Sequence, residues 1–132
     1  MMRFWSSLLV AMLLVTVGCQ KDLTTPQGTV EEFLDQQYVN VDLKKSKTYT
    51  IGLAREKVDD EIRLTTNQKI DDSTRKPKIY YALIEKRNSR DRLSYLYELT
   101  IHPEDADEFK RRVLVWVQQN GDGWRISNFS EY

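Results

Sequence analysis

A single cysteine excludes an internal disulfide, and a single histidine beside it excludes the donor sets that hold structural zinc. Charge of one sign is also missing. Lys and Arg number 20 and Asp and Glu number 20, so no net charge draws the chain as a whole to nucleic acid or to an anionic membrane surface. No internal repeat and no low-complexity tract is present. With three prolines and five glycines, turns must be placed by few residues. Long apolar runs are absent except for one, at the start.

That run organises the rest. Arg3 supplies a short positive region, Leu8 to Val17 carries no charge, and Gly18 precedes Cys19. Such a segment reads as a secretory signal, too short to cross a hydrocarbon layer of about 30 Å as a helix. A cysteine directly after a small residue resembles the lipobox of bacterial lipoproteins, although Thr16 stands where that family prefers an aliphatic residue. The resemblance implies cleavage of residues 1–18 and acylation of Cys19 at its thiol and new amine. The membrane partner is then reached through lipid alone, since two or more acyl chains anchor stably at about 0.8 kcal/mol per buried methylene. No free thiol would remain. Gln20 after the cysteine implies the outer membrane, with the protein facing the periplasm. The plainer alternative is an ordinary signal peptide with an incidental cysteine.

Residues 19–24 read as a polar tether, and 25–132 as one domain of ordinary size. Thr25-Pro26 is an N-cap followed by proline at the first helical position, and Val30, Phe33, Leu34 and Tyr38 recur at helical spacing. A first helix is expected over 26–39. Asp42 can cap a second over 43–51, and a third is expected over 53–66, with Ala54, Val58 and Ile62 inward and its charged residues on a solvated face. The period then changes to two. Strands are expected over 79–86, 93–101, 109–118 and 124–129, the last two joined at Asn120-Gly121, which suits a tight hairpin. A charged turn is expected at 87–92 and an acidic one at 102–107. Helices followed by four consecutive antiparallel strands define an α+β fold.

The helix opening Thr25-Pro26-Gln27-Gly28-Thr29-Val30-Glu31-Glu32-Phe33-Leu34, the helices-then-sheet order, and the ending Gly123-Trp124-Arg125-Ile126-Ser127-Asn128-Phe129 are together similar to the nuclear transport factor two-like superfamily. It includes ketosteroid isomerase. The resemblance implies helices packed on a curved four-stranded antiparallel sheet, cone-like, often with an apolar cavity. A different helix-plus-meander α+β fold is the alternative.

Catalysis in the isomerase members needs an acid or His inside the cone. Strand parity puts His102 and Glu98 on the outer side, leaves no lone ionisable group on the tyrosine-rich face, and Asp35 is expected exposed. No catalytic residue, cofactor or metal site is therefore expected. Glu104, Asp105, Asp107 and Glu108 lack the alternation and glycine of a calcium loop. Tyr81, Tyr95 and Tyr97 should share one face, either as core rings or as the hydroxyl lining of a pocket for an amphipathic ligand. The turn from Lys86 to Arg92 is basic and should lie opposite the acidic turn, polarising the molecule along its strands. The expected function is a non-catalytic interaction or accessory module on a lipid anchor, partnered by an envelope protein or a second copy of itself. A carrier or sensor of a small amphipathic ligand is the alternative, and an isomerase-like enzyme a weaker one.

Overall fold

The computed structural model describes residues 21–68, 75–90, 92–121 and 123–132. Cys19 and the apolar run before it, expected as a signal segment, lie outside them.

Helix α1 spans Pro26–Leu34, and the Thr25 hydroxyl caps it by accepting the Gly28 N–H at 3.0 Å. Val30, Phe33 and Leu34 are its buried face. The helix was expected to continue as α-helix to residue 39, but it widens into a π turn at Asp35–Val39, closed by the Asn40 N–H donating to the Asp35 carbonyl at 2.8 Å. Such a turn shifts the helical phase, and Gln36 and Gln37 are both buried. Val41 follows at φ 53°, a strained conformation for a β-branched residue.

Asp42 caps α2, Leu43–Lys47, by accepting the Lys45 N–H. The expected extension to residue 51 does not form. Instead the Ile51 N–H donates to the Ile126 carbonyl and the Ile126 N–H to the Tyr49 carbonyl, each at 2.8 Å. Residues 49–51 thus cover part of the edge of the last strand, where unpaired backbone groups would otherwise face outward. Helix α3, Gly52–Thr65, buries Ala54 and Val58. Its charged face is not wholly solvated. Lys57 is half-buried and donates to Asn128 Oδ1 at 2.9 Å and to the Phe129 carbonyl at 2.6 Å.

The strands are β1 Lys78–Ser89, β2 Arg92–His102, β3 Phe109–Asn120 and β4 Gly123–Glu131, in an open antiparallel sheet of order 1-2-3-4. The helices lie on one face. They bury Tyr95, Tyr97, Leu99, Val113, Val115, Val117, Ile126 and Phe129 against α1 and α3, with the Phe33 and Phe129 rings 5.1 Å apart. Each fully buried side chain of this kind contributes about 1.5–3 kcal/mol. The β3–β4 hairpin turns at Gly121, φ 64°. The charged turn expected at 87–92 is shorter, because β1 runs to Ser89 and only residues 90–91 connect it to β2.

A bulge interrupts β1. Leu83 opposes Tyr97 and Glu85 opposes Leu96, so Ile84 is the extra residue. Beyond it the facing reverses, and Lys86 opposes Tyr95. The expectation of no ionisable side chain on the tyrosine face does not hold: strict alternation would carry Glu85 there, and the bulge puts Lys86 there instead.

A polar network ties the helices together. Ser46 Oγ donates to Gln37 Oε1 at 2.8 Å, and Gln37 Nε2 donates to Glu61 Oε2 at 2.6 Å. Burial, opposed by that hydrogen bond and reinforced by the charge of Glu131, raises the Glu61 pKa. A raised carboxylate pKa means that ionisation opposes folding. The contribution is fully favourable below the unfolded value of about 4.3 and is lost as pH rises through the folded value. Glu61→Gln keeps an acceptor for Gln37 and removes the charge. It is expected to stabilise the domain at pH 7 by less than about 1 kcal/mol, since the group is half exposed, and to do nothing at pH 4. Urea unfolding at the two pH values reads this directly; an equal gain at both would contradict it.

Candidate functional site

The seam between α1 and the outer half of the sheet holds the densest polar chemistry. Tyr81, Tyr95 and Tyr97 lie on the helix-facing side, and the Tyr81 and Tyr97 rings meet edge to face with centroids 5.7 Å apart. Opposite them, Glu31 and Asp35 stand one helical turn apart. The Tyr81 hydroxyl donates to Asp35 Oδ1 at 2.7 Å, and the Tyr97 hydroxyl to Glu31 Oε2 at 3.2 Å. Asp35 was expected exposed; it is half-buried, because the flank of α1 beside Leu34 faces β1. Burial first, and the adjacent carboxylates second, push both phenols far above their ordinary range. The two hydroxyls therefore remain neutral donors, each already engaged.

The N-terminal segment closes this seam. Lys21 Nζ lies 3.4 Å from Glu31 Oε1 and 5.6 Å over the Tyr81 ring. Residues 22–25 form a turn in which the Thr25 N–H donates to the Asp22 carbonyl. That carbonyl packs on Gly28 where a Cβ would stand, so the turn can dock only on glycine. Residues 21–24, expected as a polar tether, are instead held on the domain.

Tyr95 differs from its neighbours. It is fully buried, and its hydroxyl has no hydrogen-bond partner among the described residues. Lys86 Nζ sits 5.8 Å over its ring. A groove of about 560 Å³ runs here between the N-terminal turn and β1, lined by Lys21, Gln27, Gly28, Glu31, Lys86 and Tyr95. A larger depression of about 760 Å³ lies between the π turn and the end of α3, but its lining, which includes Asp42, Lys44 and Gln68, holds no buried polar group lacking a partner. An unsatisfied buried hydroxyl costs about 1–3 kcal/mol. Tyr95→Phe is accordingly expected to leave thermal stability unchanged or raise it by up to about 1 kcal/mol; a loss larger than that would show that the hydroxyl has a partner in solution.

The remaining candidates are dispersed. His102 is half exposed at a strand end, with Nδ1 3.3 Å from Glu108 and its ring edge-on to Tyr80. Glu98 faces Lys110 at 3.4 Å, and Glu104 faces Arg75 at 3.3 Å. Asp105 and Asp107 are exposed. Among the described residues no group of three His, Cys, Asp or Glu side chains is placed to hold a metal ion. No described helix is long and apolar enough to cross a membrane.

The fold is that of an α+β protein with helices on one face of an open four-stranded antiparallel sheet. No family model matches the chain, and no curated protein matches it. Among solved structures, the intermembrane space region of chloroplast protein ARC6 is similar at a TM-score of 0.46 and 15% identity, covering 83% of this chain and 95% of that one.

Proposed function

We propose that the protein is a lipid-anchored component of a bacterial cell envelope, held through Cys19, whose nuclear transport factor two-like domain works as a non-catalytic interaction module. The anchor reading places it at the outer membrane, facing the periplasm. The observation that carries the module reading is the closed seam. Tyr81 and Tyr97 are engaged by Asp35 and Glu31, so neither hydroxyl is offered to a ligand there. The sheet carries helices on one face only, Tyr80 and Ile84 stand exposed on the other, and the outer edge of β1 has no strand beside it among the described residues. An exposed edge and an uncovered face are the usual places for a second chain to add, whether an envelope protein or another copy. Cys19→Ser tests the anchor by intact mass of the protein from the producing cells. The wild type is expected to begin at Cys19 and to carry acyl mass, and the variant to carry none and to keep residues 1–18. A wild type without acyl mass would remove the anchor.

A second reading has its own observation. The unpartnered Tyr95 hydroxyl, buried next to the groove at Lys21 and Lys86, suits a small amphipathic ligand that accepts one hydrogen bond when that groove opens. Under that reading Tyr95→Phe weakens ligand retention without loss of stability.

A further inference from the structure

The N-terminal turn and the basic hairpin occupy the same end of the molecule. Lys21 and Lys86 line one groove, and the hairpin beyond Lys86 carries Arg87, Arg90 and Arg92, with one acidic residue, Asp91, between the last two in sequence. Glu85 engages Arg87 at 3.0 Å and Glu31 engages Lys21 at 3.4 Å. Lys86, Arg90 and Arg92 are exposed and have no carboxylate within ion-pair distance among the described residues. The acidic turn of Glu104, Asp105, Asp107 and Glu108 lies at the far end of β2, an 11-residue strand. At about 3.3 Å per residue, the length of β2 separates the two charge clusters by some 30 Å. The hairpin offers cations with no described partner, whereas Arg75, Lys78 and Lys110 stand around the acidic turn.

The second observation is how little chain separates the body from Cys19. The turn docked on Gly28 holds Lys21 to the domain, so Gln20 alone stands between Lys21 and the cysteine. An extended chain reaches about 3.3–3.6 Å per residue, which keeps Cys19 within roughly 7 Å of Lys21. A surface to which Cys19 is fixed is thereby brought close to the groove that Lys21 shares with Lys86.

We infer that the β1–β2 hairpin docks on anionic lipid headgroups, with Lys86, Arg90 and Arg92 against the bilayer and the acidic turn pointing away from it. The inference rests on the anchored reading above. Three cations on a neutral protein do not recruit it from solution. Once the chain is tethered, however, the contact is intramolecular, and charges within a Debye length of about 10 Å act on the surface while the distant acidic end is screened. Docking in this pose leaves the uncovered sheet face and the acidic turn available to a partner.

The test uses the full chain extracted from the membrane of a bacterial producer, with its intact mass taken first. The protein is reconstituted into vesicles of phosphatidylcholine, with and without phosphatidylglycerol, and amide hydrogen exchange is compared at residues 87–93 and 103–109. Exchange in the hairpin is expected to slow by at least about threefold on the anionic vesicles only. The slowing should disappear in K86Q/R90Q/R92Q, while residues 103–109 are unaffected. Equal hairpin exchange on both vesicles, slowing that survives the triple substitution, or protection at the acidic turn instead would overturn the inference. Protection seen only in native membranes and lost after protease treatment would assign the hairpin to an acidic protein and would likewise overturn it. An unmodified Cys19 in the intact mass would remove the anchor reading separately. The same chain is then coupled through that thiol to a maleimide lipid, and the hairpin measurement is read as before.

Discussion

Tyr97→Ala is expected to lower the stability of the domain by about 3–5 kcal/mol, the usual cost of deleting a buried aromatic ring. Tyr97 is 1% exposed, packs edge to face with Tyr81, and sits in the middle of β2 between β1 and β3. Its removal opens a cavity under α1 and leaves Tyr81 without its ring partner. At roughly 4–8 °C per kcal/mol for a domain near this size, the melting temperature should fall by more than about 12 °C. Tyr97→Phe separates ring from hydroxyl. It keeps the packing and loses one hydrogen bond to Glu31, whose other oxygen still faces Lys21, so a loss of about 1 kcal/mol is expected. Chemical denaturation of the three proteins orders them wild type, Phe, Ala. A Phe variant as unstable as the Ala variant would mean that the hydroxyl, not the ring, carries the seam.

Lys57→Ala is expected to cost about 1.5–3 kcal/mol, far more than an ordinary surface lysine. The ammonium of Lys57 bridges Asn128 Oδ1 and the Phe129 carbonyl and lies 5.5 Å from the Phe129 ring. It satisfies a carbonyl on the outer edge of β4 with a charged donor, so α3 is fastened to the sheet by a hydrogen bond of the stronger kind. Lys57→Met keeps the apolar stem and removes the charge. It should cost most of what Ala costs; a Met variant within about 0.5 kcal/mol of wild type would assign the effect to packing of the stem instead.

The strands were legible because their signals are local. Leu93, Tyr95, Tyr97, Leu99 and Ile101 alternate without interruption, and Asn120-Gly121 fixes the last hairpin whatever surrounds it. Thr25-Pro26 placed the start of α1 for the same reason. What stayed hidden depends on contacts between segments distant in the chain. Asp35 reads as a surface residue until β1 is laid against the flank of α1, and the phase change at the π turn has no signature in the spacing of Tyr38. Glu31 and Asp35, four apart and beside the buried Val30 and Leu34, were the one available hint of a carboxylate row. The bulge at Ile84 carries neither glycine nor proline to announce it, and it alone turns Lys86 towards Tyr95. Tyr49–Ile51 looked like the end of a helix because its pairing partner, Ile126, lies 75 positions later. Lys57 sits in a charged stripe, and nothing in the stripe distinguishes it from Arg55 or Arg63.

The closed seam also bears on what can be done at this fold. Phenols held neutral by burial and by carboxylates do not ionise near neutral pH, and their hydroxyls donate inside the protein. The function we propose lies in surfaces: the open sheet face, the edge of β1 that has no strand beside it among the described residues, and the end from which the N-terminus leaves.

The most direct test is native mass spectrometry of the protein released gently from its own membrane. The account predicts a chain beginning at Cys19, carrying acyl mass and no further small molecule, and accompanied by a second polypeptide or a second copy. A chain with an unmodified Cys19, or one retaining a small ligand with no protein partner, would contradict it.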